Sequence, residues 1–195
     1  MAADTGTQDA IALLKADHRK VADLFASFET ARDATRKEKL VKQICTELTV
    51  HTLIEEEIFY PACRGAVEED LLDEAYVEHD GAKVLIAELL GSSPDADFYD
   101  AKVKVLSEQI EHHVEEEEKR SEGLFSLARK AGLDMEALGD RMRLHKSALM
   151  AEFEADGLPP QETRTFSGHD MVEGEPVEDE RDQIEHSRTS SSARG

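Results

Sequence analysis

Residues 108–125, EQIEHHVEEEEKRSEGLF, place two adjacent histidines ahead of four consecutive glutamates. Such a run is either the wetted side of a helix or partly its inward side, and helical spacing distinguishes the two. Val103, Leu106, Ile110, His113, Glu117 and Leu124 recur at helical intervals, so His113 and Glu117 continue an apolar stripe. His112 and Glu116 follow Gln109 toward a more polar face. His112 remains the competitor for the inward position, or a donor standing behind it.

The same interruption recurs upstream. Leu14, His18, Val21, Phe25 and Phe28 share one face; Ile44, Leu48, His51, Glu55 and Ile58 share another; Leu72, Ala75 or Tyr76, His79, Ala82 and Ile86 share a third. Breakers divide the apolar periodicity into segments at about residues 8–30, 35–62, 68–90, 95–129 and 134–155. ARDAT separates the first two, PACRG the next, GSSPDAD the third pair and AGLD the last. Gly91 ends the third helix, and Pro94 or Asp97 starts the fourth. Strand patterning is absent. Four long helices with short connections predict an all-α, up-down-up-down four-helix bundle with an additional C-terminal helix.

Polar side chains aimed at one core need partners, because a buried ionised carboxylate costs several kcal/mol even after relaxation. Glu55 and Glu117 each follow an inward histidine by four residues, so both side chains of each pair leave one helix face a turn apart. His18 precedes His51 by 33 positions and His79 precedes His113 by 34. Each half of the chain therefore supplies a lone histidine and then a His-x-x-x-Glu pair, and two such halves can build a two-metal site. Four imidazoles suit iron, zinc, copper or nickel, and carboxylates suit bridging between paired cations.

KADHRK around His18, HTLIEEEIFYP at 51–61, VEHDGAK around His79 and HHVEEEEK at 112–119 resemble, in order and spacing, the histidine-histidine-glutamate cation-binding domains of the hemerythrin family. The resemblance spans about residues 10–150. It implies a helix bundle holding two non-haem iron ions, a di-iron centre with a bridging oxo or hydroxo ligand. The corresponding ligands are His18, His51, Glu55, His79, His113 and Glu117. One departure bears on chemistry. Oxygen-carrying members place a histidine four residues after the third-helix histidine, and here that position is Lys83. A lysine beside a cationic centre is expected to swing away or lose its proton, leaving one iron short of a protein ligand and arguing against simple oxygen carriage.

Composition limits the alternatives. A 195-residue chain with 34% charged residues, no tryptophan and a net charge of −21 is long enough for one core, and its field repels phosphate backbones and anionic lipid. Neither nucleic acid nor membrane is expected as a partner; the partner is a small oxidant such as dioxygen, peroxide or nitric oxide. No stretch approaches a membrane span and the N-terminus lacks a basic, apolar leader, so a cytoplasmic location is expected. Cys45 and Cys63 read as unpaired buried side chains. Residues 1–156 read as the bundle and 157–195, with its prolines and terminal serines, as a disordered tail of unknown partner in which His169 and His186 are solvated. Glu56, Glu57, Glu115, Glu116 and Glu118 read as a solvated acidic face, Tyr76 as core near His79, and His145 as packing against the bundle. The leading functional expectation is a di-iron protein that binds or consumes the oxidant; the alternatives are a non-enzymatic iron-sensing or storage module and a metal-free helical adaptor.

Overall fold

A computed structural model of the chain describes residues 9–166, and no strand occurs among them. The helices are α1 (Ala10–Thr30), α2 (Ala34–Ile54), α3 (Tyr60–Cys63), α4 (Glu69–Leu90), α5 (Tyr99–Glu118), α6 (Leu124–Lys130) and α7 (Met135–Asp156). A π-helical turn, Glu55–Phe59, joins α2 to α3 without interruption. Aspartates start three of the helices. Asp9, Asp33 and Asp134 accept the backbone N–H of Ala12, Arg36 and Ala137 at 2.8, 2.9 and 3.0 Å, closing the first turns of α1, α2 and α7. The expected start of the fourth long helix at Pro94 or Asp97 is not where α5 begins. Its first residue is the buried Tyr99, whose ring lies against Phe28, and the preceding Phe98 has a left-handed φ of 61° and no side-chain cap.

Helix α1 packs against α2 and α5, and α4 packs against the same two, which closes a four-membered ring; α7 lies outside it against α1 and α2. The connections at 31–33, 64–68 and 91–98 are too short to return a helix to its starting end, so successive neighbours run antiparallel. The segment expected as one helix over 95–129 is two. Residues 119–123 turn the chain so that Leu124 and Phe125, on α6, enter the end of the core. The turn is tight: a Cβ on Gly123 would stand 2.6 Å from Glu117 O and from Lys119 N.

The apolar core is divided in two. One compartment gathers Leu14, Ile54, Phe59, Leu72, Leu124 and Phe125 with Leu138 and Met142 of α7; the other gathers Val21, Phe25, Ile44, Leu48, Ile86 and Leu106. Between them the buried residues are His18, His51, Glu55, His79, His113 and Glu117. Cys45 and Cys63 are buried and free, one in each compartment. Among the described residues no helix is long and apolar enough to cross a membrane.

A tail free of the bundle from residue 157 is not what the structure has over 157–166. After Gly157, at φ 83°, the chain runs back to α4, where Arg164 N and Thr165 N donate to Asp80 Oδ2 at 2.7 and 2.5 Å. The physical reason is that Asp80 is fully buried, and while Lys83 of α4 meets its Oδ1, its Oδ2 takes its donors from this segment. The remainder of the expected tail, with His169 and His186, lies outside the described residues.

The Gly123 turn gives a direct check. Gly123→Ala forces a methyl group into backbone that cannot yield, and should lower the unfolding free energy by about 1–3 kcal/mol, the range for overpacking, measured by chemical denaturation.

Candidate metal centre

The buried layer is built from two imidazole pairs. His18 Nε2 and His51 Nε2 face each other at 3.1 Å, and His79 Nε2 and His113 Nε2 at 3.2 Å. Each pair joins two neighbouring helices, α1 with α2 and α4 with α5. The two glutamates span the pairs: Glu55 Oε2 lies 3.1 Å from His51 Nε2 and 3.4 Å from His79 Nε2, and Glu117 Oε2 lies 3.4 Å from His18 Nε2 and 3.6 Å from His113 Nε2. His18, His51, Glu55 and Glu117 form one group of convergent donor atoms, and Glu55, His79 and His113 a second. His113 is the inward residue of its pair, while the side chain of His112 is 60% exposed and stands 3.5 Å from Glu78.

Behind each imidazole stands a carboxylate. Glu118 Oε1 contacts His18 Nδ1 at 2.9 Å, Glu78 Oε2 contacts His113 Nδ1 at 2.7 Å, and Glu56 Oε1 contacts His79 Nδ1 at 3.2 Å. Asp17 Oδ2 approaches His51 Nδ1 at 3.7 Å, beyond hydrogen-bond length. Three of these carboxylates are tied in turn by cations: Glu118 by Lys15, Asp17 by Lys146 of α7, and Glu56 by Lys83 and Arg164. A carboxylate on Nδ1 fixes the ring orientation and leaves Nε2 turned inward as a donor atom. Periodicity could not find this outer tier. Glu118 and Glu56, expected on a solvated face, are respectively half-buried and buried against the rings.

A tyrosine completes the layer. Tyr60 Oη donates to Glu117 Oε1 at 3.0 Å and lies 3.4 Å from Glu55 Oε2 and 3.3 Å from His79 Nε2. It follows Glu55 by five residues, which ordinary helical spacing turns to a different face. The π turn restores it, since Tyr60 N–H bonds Glu55 O across the wider ring and the phenol is carried over Glu55. Tyr76, the tyrosine read near His79, packs edge-on against Tyr60 with ring centroids 5.4 Å apart. His145 bonds Glu57 Oε2 at 2.7 Å on the outside of the bundle.

Within the layer the buried charges shift one another's pKa values. Burial lowers the pKa of His51, but Glu55 and Asp17 outweigh it and bring the imidazole up to about 10. His79 is likewise raised to about 8 against its burial, by Glu55 and Glu56. Burial raises the Glu55 carboxyl, yet His51 and His79 hold it well below its ordinary value. Burial and the neighbouring Glu117 and Glu55 push the Tyr60 phenol well up, which keeps its proton on Oη.

This sharing leaves a residue of unmet demand. Glu55 Oε1 and Glu117 Oε2 are buried with no hydrogen-bond partner. Convergent imidazole nitrogens and unpaired carboxylate oxygens are the donor set of a borderline divalent cation, and the residues present fit such an ion.

A family model of the hemerythrin HHE cation-binding domain matches residues 9–123. The chain belongs to this family. Among solved structures, a hemerythrin HHE cation-binding domain-containing protein from Mycobacterium kansasii has the same fold, with a TM-score of 0.62 at 22% identity over 77% of this chain and 94% of that one. A protein named DNA nickase, from Nostoc sp. (strain PCC 7120), is 32% identical over 115 residues, 59% of this chain; the chain spans 32% of that relative's length.

Within this hemerythrin-like layer Lys83, at the position where oxygen carriers are expected to have a further histidine, neither coordinates nor reaches solvent. Its Nζ bonds Glu56 Oε1 at 2.7 Å and Asp80 Oδ1 at 3.0 Å, on the Nδ1 side of the His79 ring. Two carboxylates hold it there.

Proposed function

We propose that this protein is a non-haem di-iron protein that reacts with a small oxidant. His18, His51, His79, His113, Glu55 and Glu117 would hold the two ions. The observation that carries this reading is the reach of the two glutamates. Each contacts both imidazole pairs, and each keeps one buried oxygen without a hydrogen bond. Iron in this layer would supply electrons and Lewis acidity to dioxygen, peroxide or nitric oxide.

The chain's own residues do the rest. Glu118, Glu78 and Glu56 fix three rings through Nδ1. Phe125 stacks on His18 with ring centroids 5.8 Å apart and closes that end against water. Tyr60 directs its proton at Glu117. A groove of about 370 Å³ between α1 and α5, lined in part by Ala22, Phe25 and Ala26, reaches His18. Ile110 and Val114 line both this groove and the small cavity over His51, His79 and His113, and so stand where a small molecule enters.

A second reading, an iron-responsive module without turnover, is favoured by one observation: residues that follow the bundle bond to Glu56 and so to His79. The DNA-nicking activity named for the Nostoc relative is not carried over, because a net charge of −21 opposes a phosphate backbone.

Elemental analysis after anaerobic ferrous loading should find two irons per chain, and a chain without transition metal overturns the proposal. Rapid mixing of the loaded protein with peroxide then separates the readings, since repeated turnover supports an oxidant-consuming protein and a single metal-limited event supports a sensor. Val114→Trp, which fills the floor of the groove, should slow the reaction with oxidant at unchanged iron content; an unchanged rate would place the entry elsewhere.

A further inference from the structure

The carboxylates beside His18 and His51 are tied by Lys15 of α1 and Lys146 of α7, and His113 bonds Glu78 of α4. The carboxylate beside His79 is held from after the bundle as well. That carboxylate, Glu56, shares Oε1 between His79 Nδ1 and Lys83 Nζ, and gives Oε2 to Arg164 Nε at 2.6 Å. Arg164 lies beyond α7 and beyond the residues that the family model covers. Next to it, Asp80 Oδ2 accepts from Arg164 N, from Thr165 N and from Thr165 Oγ1, the last at 2.8 Å.

Glu56, Asp80, Lys83 and Arg164 make a cluster of two negative and two positive side chains. Both carboxylates and the lysine are buried, whereas the Arg164 side chain is 54% exposed. Such a cluster tolerates burial because its charges are paired, and Arg164, half exposed, is the member whose loss still leaves Lys83 on both carboxylates. A carboxylate held at one oxygen can still rotate about its terminal bond, and Arg164 on the second oxygen removes that freedom. The position of the segment after the bundle is thereby transmitted, through the Glu56 plane, to the direction of His79 Nε2.

We infer that residues 157–166 are a strap in which Arg164 is a positioning residue for one of the two metal positions, so that docking of the strap sets how tightly the ion on the His79–His113 side is held. The inference rests on the di-iron reading above. It also gives Lys83 a role: the lysine in place of a histidine is the partner that lets Glu56 and Asp80 be buried where the strap can grip them. Coupling of this kind is reciprocal. An ion on the His79–His113 side favours the docked strap, and whatever draws the strap away loosens that ion.

The test uses the full chain, the variants Arg164→Ala and Arg164→Lys, and a chain ending at Asp156, each loaded anaerobically with ferrous iron and titrated with a chelator. Losing the residue bonded directly to a ligand weakens metal binding by about 10–100-fold, and Arg164 stands one step further out, behind Glu56. Arg164→Ala and the shortened chain should therefore release one of their two irons at a chelator concentration lower than the parent by the small end of that range, about 10-fold, while the second iron leaves as in the parent. Arg164→Lys should retain part of the difference, and the metal-free melting temperature of the Arg164 variants should match the parent, because that side chain is half exposed. Two irons released by every variant as by the parent overturn the strap alone. Loss of both irons together with a lower metal-free melting temperature also overturns it, by making the segment a general contributor to stability. A parent that binds no iron overturns the di-iron reading instead.

Discussion

Six polar side chains in one layer of a helix bundle are the constraint around which this protein is organised. Four imidazoles and two carboxylates separate two apolar compartments that would otherwise form one continuous core. Burying them without partners would cost several kcal/mol for each charge, a penalty comparable to the whole stability of an ordinary domain. Paired contacts offset much of it, since every inward nitrogen has a neighbour within 3.6 Å. The unpaired oxygens of Glu55 and Glu117 are what protons leave unsatisfied and what cations can complete.

The outer tiers follow from that layer. Imidazoles that present Nε2 inward leave Nδ1 outward, and a carboxylate answers three of the four at hydrogen-bond distance. Two of those carboxylates, and Asp17 beside His51, are met by cations, which explains why lysines sit buried or half-buried on a strongly acidic chain: Lys15 at Glu118, Lys83 at Glu56, Lys146 at Asp17. Helix α7, outside the four-membered ring, contributes packing through Leu138 and Met142 and electrostatics through Lys146. The segment after it contributes Arg164 by the same logic. Charge demand thus propagates outward from the core in alternating sign.

The bundle and the inward set were legible because both rest on a local rule. Apolar residues at helical spacing fix which side of each helix is buried, and His18, His51, Glu55, His79, His113 and Glu117 fall on those sides whether or not their partners are known. Four features were not legible, each for a different reason. Tyr60 is reached only through a π turn, which shifts the register by one residue and hides it from a pattern based on ordinary helical spacing. Glu56, Glu78 and Glu118 lie at helix edges, where burial depends on which neighbour stands opposite, and spacing along one helix does not contain that information. Arg164 and Thr165 sit in a polar, proline-containing stretch whose composition resembles disorder; they are ordered by two buried carboxylates on distant helices. The break at residues 119–123 was hidden because the apolar stripe continues across it, from Glu117 to Leu124, on two different helices.

The central claim is that this polar layer is a cation layer. The measurement that meets it most directly is thermal unfolding of the metal-free protein with and without ferrous iron under anaerobic conditions, for the parent and for the Glu55→Gln, Glu117→Gln double variant. Binding at about 100 times the dissociation constant stabilises by about 2.7 kcal/mol per ion, worth roughly 5–10 °C in a domain of this size. The parent should gain at least that much. The double variant, which keeps the shapes of both side chains and removes their charges, should gain little. A parent that melts at the same temperature with and without iron, or a double variant that gains as much as the parent, would contradict the account.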